Sequence, residues 1–386
     1  MDDAQIEALA AKLLVFGFDG SGTKPNVHAC NMIRQGAGGV ILFGRNVDNP
    51  KQVTELCENL KRQAGDRKLL IMVDQEGGRV ARLAPPLFTA VPSAHTLSTA
   101  MHKLSAAASA GEVLGKEVRA VNIDMNLAPI MDVDTNPANP VIGERAFSRN
   151  PAVVSKMGAA WIHAMQDQGV AACAKHFPGH GDTSKDSHLE LPSVPHSLSR
   201  LQSVELPPFQ AAVDARVAAV MVAHVTAPAL DEHGNIEKPG SMPASMSAGA
   251  VGYLRNHMGY KGVILTDDME MGALKDFGIA EAVTAGLQAG IDMFLVCHTE
   301  KLQKDALNAM VQAVKDGRVS VDRLQESVDR IDALMEKYVP ELDIGASLPN
   351  TANSSMTNKK TNKLQIVGSA ENRDIIKNIL TAGFRE

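Results

Sequence analysis

The stretch KHFPGHGDTSKDSHLELP, residues 175–192, combines ionisable side chains with prolines and glycines. It contains three histidines and two aspartates, and its apolar residues follow neither a helical nor an alternating pattern. Pro178 and Pro192 each remove a backbone donor, so the stretch is predicted to be a loop. Polar residues on loops more often serve function than packing.

Within this loop Asp186 stands two residues before His188. A carboxylate that accepts from one imidazole nitrogen fixes the tautomer and leaves the other nitrogen free to give or take a proton, as general acid–base catalysis requires. The alternative is an aspartate that caps local backbone amides beside an exposed histidine. The tripeptide alone does not exclude that alternative.

A metal site is a second alternative for the same loop. His176, His180, Asp182 and His188 are suitable zinc or manganese ligands by type. They are crowded into one proline-interrupted segment, however, and no HExxH helix supplies a rigid pair of ligands. We therefore favour proton transfer over metal binding.

Two further segments offer groups that could hold hydroxyls. VDQEGGRVARL (73–83) places Asp74 after an apolar run and Arg82 shortly beyond it. A carboxylate and a guanidinium in one pocket bind hydroxyls through paired hydrogen bonds, although a structural Asp–Arg pair is an equal alternative. NPVIGERAFSRNP (139–151) adds Arg145 on a loop bounded by proline and glycine.

GVILTDDMEMG (262–272) ends an apolar run with Asp267 and Asp268. Neighbouring residues on a strand point in opposite directions, so one carboxylate can face a pocket while the other makes structural hydrogen bonds. A carboxylate at such a strand end can act as a nucleophile.

Eight short apolar runs must position these groups. Their near-continuous Val, Ile and Leu content is typical of strands buried on both faces. They span residues 13–20, 38–46, 69–78, 121–134, 170–179, 218–225, 262–268 and 291–298.

Helical patterns lie between or after these runs, at 50–63, 151–169, 199–215, 280–290, 301–317 and 320–338. The alternation predicts an α/β fold, a (β/α)8 TIM barrel with a short C-terminal extension; a doubly wound sheet is the alternative, although no GxGxxG or P-loop motif opens a helix. In a barrel the active site lies at the carboxyl ends of the strands. Those ends carry Asp19, Asn46, Asp74, Asp132, Lys175–His176, His224, Asp267 and His298.

Composition limits the remaining classes. The 386 residues are 45% hydrophobic with a net charge of −6, and no block of like charges favours nucleic acid or an anionic membrane as partner. The four separated cysteines indicate reduced thiols. The acidic N-terminus lacks an apolar signal region and no apolar run reaches the ~20 residues of a membrane span, so we expect a cytoplasmic protein.

The domain organisation is predicted as a catalytic barrel over 1–340, a polar linker over 341–363, and a small segment over 364–386. The linker is rich in Asn, Thr, Ser and Lys. LQIVGSAENRDIIKNILTAGF (364–384) is predicted to form one strand and one helix, too little to fold alone.

Four of the segments quoted above, in order, resemble glycoside hydrolase family 3 in its β-N-acetylglucosaminidase branch: VDQEGGRVARL, NPVIGERAFSRNP, KHFPGHGDTSKDSH and GVILTDDMEMG. The resemblance covers residues 10–338. It implies retaining hydrolysis of terminal β-linked N-acetylglucosamine from short glycans, and in bacteria a role on peptidoglycan fragments during cell-wall recycling. The chain departs from two-domain members of the family, which carry a whole α/β domain after the barrel.

The resemblance also implies roles for individual residues. Asp267 would be the nucleophile that forms a covalent glycosyl-enzyme, and His188 the general acid and base with Asp186 as its partner. The sugar would be bound by Asp74, Arg82, Arg145, Lys175 and His176. No metal or organic cofactor is implied, and we expect a monomer or weak homodimer.

Two alternatives remain within this reading. A neutral imidazole in place of a second carboxylate would not repel phosphate, so phosphorolysis is a secondary hypothesis. A non-catalytic sugar-binding barrel is disfavoured, because the nucleophile, the dyad and the sugar-binding positions are all present.

Overall fold

The computed structural model of the chain describes residues 2–231, 240–341 and 363–381. Eight parallel strands close into a barrel: β1 (Leu14–Phe16), β2 (Gly39–Leu42), β3 (Leu70–Val73), β6 (Met125–Asn126), β7 (Ala171–Phe177), β8 (Ala219–Val222), β9 (Val263–Asp268) and β10 (Met293–Val296). Around the ring the order is β1, β10, β9, β8, β7, β6, β3, β2. The predicted (β/α)8 barrel is confirmed, and each strand lies inside its predicted run.

The ring closes where the first strand pairs with the last. Val15 of β1 lies opposite Leu295 of β10 on one side and Gly39 of β2 on the other. A small antiparallel hairpin, β4 (Gln75–Gly77) and β5 (Val80–Ala81), follows β3 outside the ring. The run predicted as the third strand, residues 69–78, therefore contains both β3 and the first strand of this hairpin.

Helices surround the barrel. They are α1 (Asp3–Lys12), α2 (Val27–Gln35), α3 (Pro50–Gln63), α4 (Ala94–Thr99), α5 (Lys103–Ala120), α6 (Pro151–Asp167), α7 (Leu198–Ser203), α8 (Leu206–Asp214), α9 (Pro228–Asp231), α10 (Ala248–Gly252), α11 (Ile279–Ala289), α12 (Glu300–Lys315), α13 (Val321–Tyr338) and α14 (Ala370–Thr381). Short 3-10 turns lie at Gly44–Asn46, Gly143–Arg145, Ala244–Met246 and Gly272–Leu274, and a π turn at Tyr253–His257.

The local sequence explains where the helices begin. Asn49 caps α3 by accepting from the backbone N–H of Gln52, and Pro50 fits the first helical position, where no N–H is required. Ser320 caps α13 in the same way through Arg323. The helix predicted over 199–215 is two helices, because Pro207 and Pro208 lack the N–H groups that would continue α7 into α8.

The core lies inside the ring and between the ring and its helices. Every residue of β2, β3 and β8 is buried, as expected for strands covered on both faces. Cys57, Cys173 and Cys297 are buried free thiols, and Cys30 is a partly buried one. No helix in the described ranges is long and apolar enough to cross a bilayer.

The strand predicted at the start of the C-terminal segment is not present. Residues 363–369 form a helical turn and further turns, with Val367 N donating to Leu364 O and Ser369 N to Ile366 O, and α14 follows. The closed ring leaves this segment no barrel edge with which to pair. Residues 342–362 and 382–386, which hold most of the predicted linker and the chain end, lie outside the described residues, and the domain division stays a prediction.

Candidate active site

A cavity of about 430 Å³ opens at the carboxyl ends of the barrel strands. Seven of the eight predicted site residues line it: Asp74, Arg82, Arg145, Lys175, His176, His188 and Asp267. The eighth, Asp186, contacts His188 from outside the cavity wall. The barrel topology therefore brings residues from four separate segments to one place, while their individual roles remain predictions.

Asp267 is the next-to-last residue of β9 and lies in the cavity wall. Its Oδ1 accepts from the backbone N–H of Asp268 at 2.8 Å. Burial alone would raise the pKa of Asp267, but the interactions with His176 and the hydrogen bond from Asp268 outweigh it and lower that pKa. An ionised carboxylate in a cavity wall has the charge state that nucleophilic attack requires.

The pairing of Asp186 with His188 is present. Asp186 Oδ1 accepts from His188 Nδ1 at 2.7 Å and from the backbone N–H of His188 at 2.9 Å, so the predicted dyad and the alternative backbone cap coexist. Burial raises the pKa of Asp186, but the hydrogen bonds from His188 outweigh this and lower it. Because an ionised carboxylate only accepts, Nδ1 carries the proton bonded to Asp186 and Nε2 is the nitrogen left for a substrate.

The loop that carries the dyad is anchored through His180. Both ring nitrogens of this buried histidine are engaged, Nε2 with Ser187 Oγ at 2.9 Å and Nδ1 with Thr183 Oγ1 at 2.7 Å. Burial lowers the pKa of His180, so it stays neutral. Gly181 passes so close to the Val133 carbonyl that a Cβ would collide with it.

Backbone bonds tie this loop to the segment after Asp267. Gly272 N donates to the carbonyl of His188 at 3.0 Å, and Ala273 N donates to that of Ser187 at 3.1 Å. The candidate proton donor and the candidate nucleophile are thus linked through four residues of main chain. Loop and strand end hold each other at the cavity rim.

A charged cluster forms the wall around Lys175. Lys175 Nζ lies 2.7 Å from Asp74 Oδ1 and 2.8 Å from Glu76 Oε1. Arg145 makes a bidentate contact with Glu76, in which Nη2 lies 2.8 Å from Oε1 and Nε lies 3.0 Å from Oε2. The peptide bond between Lys175 and His176 is cis.

The charges in this cluster stabilise one another. Burial would raise the pKa of Glu76, but Lys175 and Arg145 hold it well below its usual range. Burial would lower the pKa of Lys175, but Asp74 and Glu76 hold it above its usual value. At neutral pH the cluster therefore presents fixed carboxylates and cations to the cavity.

Arg82 is held in the cavity wall by long contacts. Its Nη2 is 4.0 Å from Asp74 Oδ2, and its buried Nε has no hydrogen-bond partner among the described residues. The guanidinium carbon lies 5.9 Å from the Phe43 ring centroid. The Arg82 side chain as a whole is 34% exposed, so part of it is accessible to a ligand in the cavity.

Sequence reasoning missed Glu76, although it is part of the segment VDQEGGRVARL. Asp74 and Glu76 are two residues apart, the spacing that places side chains on one face of an extended chain. That spacing was the available signal. Asp268 and His298 also line the cavity and pair with each other, His298 Nε2 lying 3.3 Å from Asp268 Oδ2.

Several strand-end residues do not reach the cavity. Asp132 is fully buried beneath His176, where its Oδ2 is 2.8 Å from Nδ1 of that ring. His224 is also fully buried, between Ser245 Oγ and the Asp268 carbonyl, which places it in the core. Asn46 Nδ2 donates hydrogen bonds to the carbonyls of Phe18 and Gly20. Asp19 is exposed and pairs with Arg45.

The four candidate metal ligands are each engaged elsewhere. His176 contacts Asp132, His180 contacts Ser187 and Thr183, Asp182 contacts His196 and Thr135, and His188 contacts Asp186. Over residues 2–231, 240–341 and 363–381, no group of three or more His, Cys, Asp or Glu side chains could hold a metal ion.

Proteins of similar sequence include bacterial beta-hexosaminidases. Beta-hexosaminidase from Thiobacillus denitrificans is 39% identical over 277 residues, which cover 70% of this chain and 74% of that protein. Beta-hexosaminidase A from Pseudoalteromonas piscicida is 34% identical over 350 residues, 86% of this chain but 58% of that longer protein. This chain therefore spans little more than half of the latter's length.

Among solved structures, a glycoside hydrolase family 3 beta-N-acetylglucosaminidase from Paenibacillus sp. str. FPU-7 superimposes with a TM-score of 0.85 at 37% identity. The superposition covers 97% of this chain and 68% of that one. Residues 4–334 match the model of the glycosyl hydrolase family 3 N terminal domain. The resemblance seen in the sequence is confirmed: the chain belongs to glycosyl hydrolase family 3.

Proposed function

We propose that the protein is a retaining exo-β-N-acetylglucosaminidase that removes terminal β-linked N-acetylglucosamine from short glycans. The observation that carries the proposal is that Asp267 and His188 line the same cavity, with Asp186 bonded to His188. Backbone hydrogen bonds join the loop that carries His188 to the segment after Asp267. Membership of family 3 and the beta-hexosaminidase names of two relatives support the activity.

In the first proposed step the Asp267 carboxylate attacks the anomeric carbon. The glycosidic bond breaks, and the proton on His188 Nε2 passes to the leaving oxygen. This first half requires the doubly protonated imidazolium, which the Asp186 carboxylate stabilises through Nδ1. The product is a covalent glycosyl-enzyme with the aglycone released.

In the second proposed step the imidazole, now neutral at Nε2, takes a proton from water as that water attacks the anomeric carbon. The bond to Asp267 breaks and the free sugar leaves with its original configuration. Two successive inversions at one carbon give net retention. Atoms and charges return to their starting state, with Asp267 ionised and His188 protonated.

The charged cluster fits a small polyhydroxylated ligand. Asp74 supplies carboxylate acceptors, Lys175 and Arg145 supply cationic donors, and the partly exposed Arg82 adds a second guanidinium. Paired donors and acceptors of this kind recognise neighbouring hydroxyls on one sugar ring. A cavity of about 430 Å³ has room for a sugar or two rather than a long chain.

The finer parts of the proposal rest on the resemblance. They are the peptidoglycan-fragment substrate and the role in cell-wall recycling, and rates on cell-wall disaccharides compared with chitobiose test the substrate. The cytoplasmic location and a monomer or weak homodimer stay expectations.

The first experiment is the initial rate on an aryl β-N-acetylglucosaminide, with the matching β-glucoside in parallel and a chelator present throughout. We expect release from the acetamido substrate alone and no effect of the chelator. Chelator sensitivity would favour the alternative of a metal-dependent hydrolase that uses residues 176–188. Release from neither aryl substrate leads to cell-wall fragments as the next substrates, and inactivity on those as well would contradict the proposal.

The nucleophile is tested by Asp267→Asn, with the exposed Asp276→Asn as the matched control. We expect the first variant to lose at least about 10³-fold in kcat with an unchanged melting temperature, because a neutral amide does not form the glycosyl-enzyme. The control variant should match the wild type. Full activity in Asp267→Asn would refute the assignment.

Phosphorolysis is the second candidate, favoured by the use of an imidazole as acid and base. Phosphate carries negative charge, and a second carboxylate at this position would repel it, whereas a neutral imidazole does not. Product analysis in phosphate buffer decides between the two reactions. Accumulation of sugar 1-phosphate would establish phosphorolysis, and free sugar alone would exclude it.

A further inference from the structure

The C-terminal segment, residues 363–381, is attached to the barrel through one buried carboxylate. Glu117 of α5 is 2% exposed. Its Oε1 accepts from the backbone N–H of Gly368 and from Asn372 Nδ2, each at 2.9 Å. Asn372 is itself 1% exposed and Ile376 next to it on α14 is 4% exposed, so this face of the helix is packed rather than solvated.

The same carboxylate holds a loop of the barrel. Glu117 Oε2 accepts from the backbone N–H of Thr89 at 2.9 Å, and Oε1 accepts from Thr89 Oγ1 at 2.5 Å. A second contact comes from Arg373, whose Nη2 donates to the carbonyl of Pro86 at 2.9 Å. Gly368, with a positive φ of 57°, lies against the Leu87 carbonyl, where a Cβ would collide.

The loop held in this way, residues 84–92, continues directly from the hairpin that carries the sugar-binding candidates. Leu83 and Gln75 exchange two hydrogen bonds of 2.9 Å across the base of the hairpin. Gly78 N donates to the Val91 carbonyl at 2.9 Å, so the far end of the loop folds back on the hairpin tip. Asp74, Glu76 and Arg82 thus lie on a hairpin that is bonded at its base and its tip.

We propose that residues 363–381 act as a brace that positions this hairpin, with Glu117 and Asn372 as positioning residues for sugar binding. The inference rests on the proposed function, because it assigns Arg82 and its neighbours to the substrate. The brace restrains residues 84–89, which begin two residues after Arg82, and Arg82 itself has a 4.0 Å contact with Asp74 and a buried Nε with no hydrogen-bond partner among the described residues.

The expected consequence is a change in substrate binding rather than in chemistry. Phe88 is 2% exposed and keeps the middle of the loop in the core, so loss of the brace loosens the loop without unfolding it. A less ordered Arg82 weakens contacts made equally in the ground state and the transition state. Loss of such uniform binding raises KM and leaves kcat unchanged.

The test is Asn372→Asp, with Asn378→Asp as matched control. The first places a second carboxylate against Glu117, while Asn378 is exposed on the same helix, so the identical change there is harmless. Loss of a buried hydrogen bond to a charged group predicts a rise in KM of roughly 5- to 10-fold with kcat within about 2-fold. Backbone hydrogen exchange over residues 84–92 should accelerate in the first variant and not in the control.

Arg373→Ala is the second variant, since it removes only the exposed contact with Pro86 and leaves the buried carboxylate paired. This variant should also raise KM and accelerate backbone hydrogen exchange over residues 84–92, each by a smaller factor than Asn372→Asp. Unchanged exchange over residues 84–92 in both variants would overturn the brace, and faster exchange with unchanged KM would overturn its role in binding. Failure of the wild type on every glycan would contradict the proposed function alone, because the exchange measurement does not depend on turnover.

Discussion

Two histidine–aspartate pairs lie at this site with nearly the same contact and very different surroundings. His188 Nδ1 is 2.7 Å from Asp186, and His176 Nδ1 is 2.8 Å from Asp132. The side chains of the first pair are 63% and 31% exposed, whereas those of the second are 7% and 0% exposed.

The difference lies in what else each carboxylate holds. Among the described residues the Asp186 carboxylate accepts from one backbone N–H, that of His188 itself. Asp132 accepts from the backbone N–H groups of His176 and His180 and so fixes the start of the histidine loop to the barrel. The same pairing is therefore expected to serve proton transfer where it is exposed, and the architecture of the cavity where it is buried.

The largest effect expected from this comparison is on His188. Replacing it by alanine removes the proton donor, and general acid–base catalysis is typically worth ~10²–10⁴-fold in rate. The loss should be greatest for sugar leaving groups, which need protonation, and smallest for a nitrophenyl group, which does not.

His102→Ala, an exposed histidine with no capping contact, is the control for this substitution. Melting temperatures of both variants should equal that of the wild type. An equal loss for good and poor leaving groups would contradict the role of His188 as an acid.

The next effect is on stability and separates the two aspartates. Asp132→Asn leaves buried donors facing an amide, and disruption of a buried ionic contact of this kind costs about 3 kcal/mol or more. Asp186→Asn makes the same substitution in the exposed pair and should change the free energy of unfolding by no more than about 0.5 kcal/mol.

Urea unfolding of both variants at pH 7 measures this difference, and rates measured in parallel should fall for both. Equal free energies of unfolding for the two variants would show that burial does not distinguish the pairs.

The smallest effect is the pH dependence of that stability difference. Burial raises the pKa of Asp132, but its contacts with His176 and His180 outweigh this and lower it below the unfolded value near ~3.9. A lowered folded pKa means stability that is present above the unfolded pKa and lost as pH falls through the folded one.

The deficit of Asp132→Asn should therefore be constant from pH 7 to about 5 and shrink below about pH 4, by at most about 1.4 kcal/mol per pH unit. Urea unfolding at pH 7, 5, 4 and 3.5 gives the curve. If the loss of unfolding free energy in Asp132→Asn instead grew as the pH fell, the lowered pKa of Asp132 in the folded protein would be contradicted.

The comparison also shows what could be read from the sequence. The eight apolar runs were sufficient for the barrel, because a parallel ring buried on both faces leaves the same signature in each strand. Because barrel active sites lie at the carboxyl ends of the strands, those ends then predicted residues of the cavity wall, including Asp74 and Asp267.

The sequence does not show how deeply each of these side chains is buried or which element carries it. Asp132 and His224 end predicted runs like Asp267, yet both are fully buried. In the structure β6 ends at Asn126 and β8 at Val222, so both residues lie beyond their strands, whereas Asp267 lies within β9. Glu76 was missed because an apolar-run reading does not separate a strand from the hairpin that follows it. The C-terminal strand was wrong because local composition does not record that the ring has no free edge.

The nucleophile candidate and the acid–base candidate belong to different kinds of structure. Asp267 is part of the barrel strand β9, whose main chain pairs with β8 and β10 in the ring. His188 stands on a surface loop whose attachments are a buried histidine, a close glycine contact and two backbone bonds. Such a loop can be redesigned while the barrel is left intact.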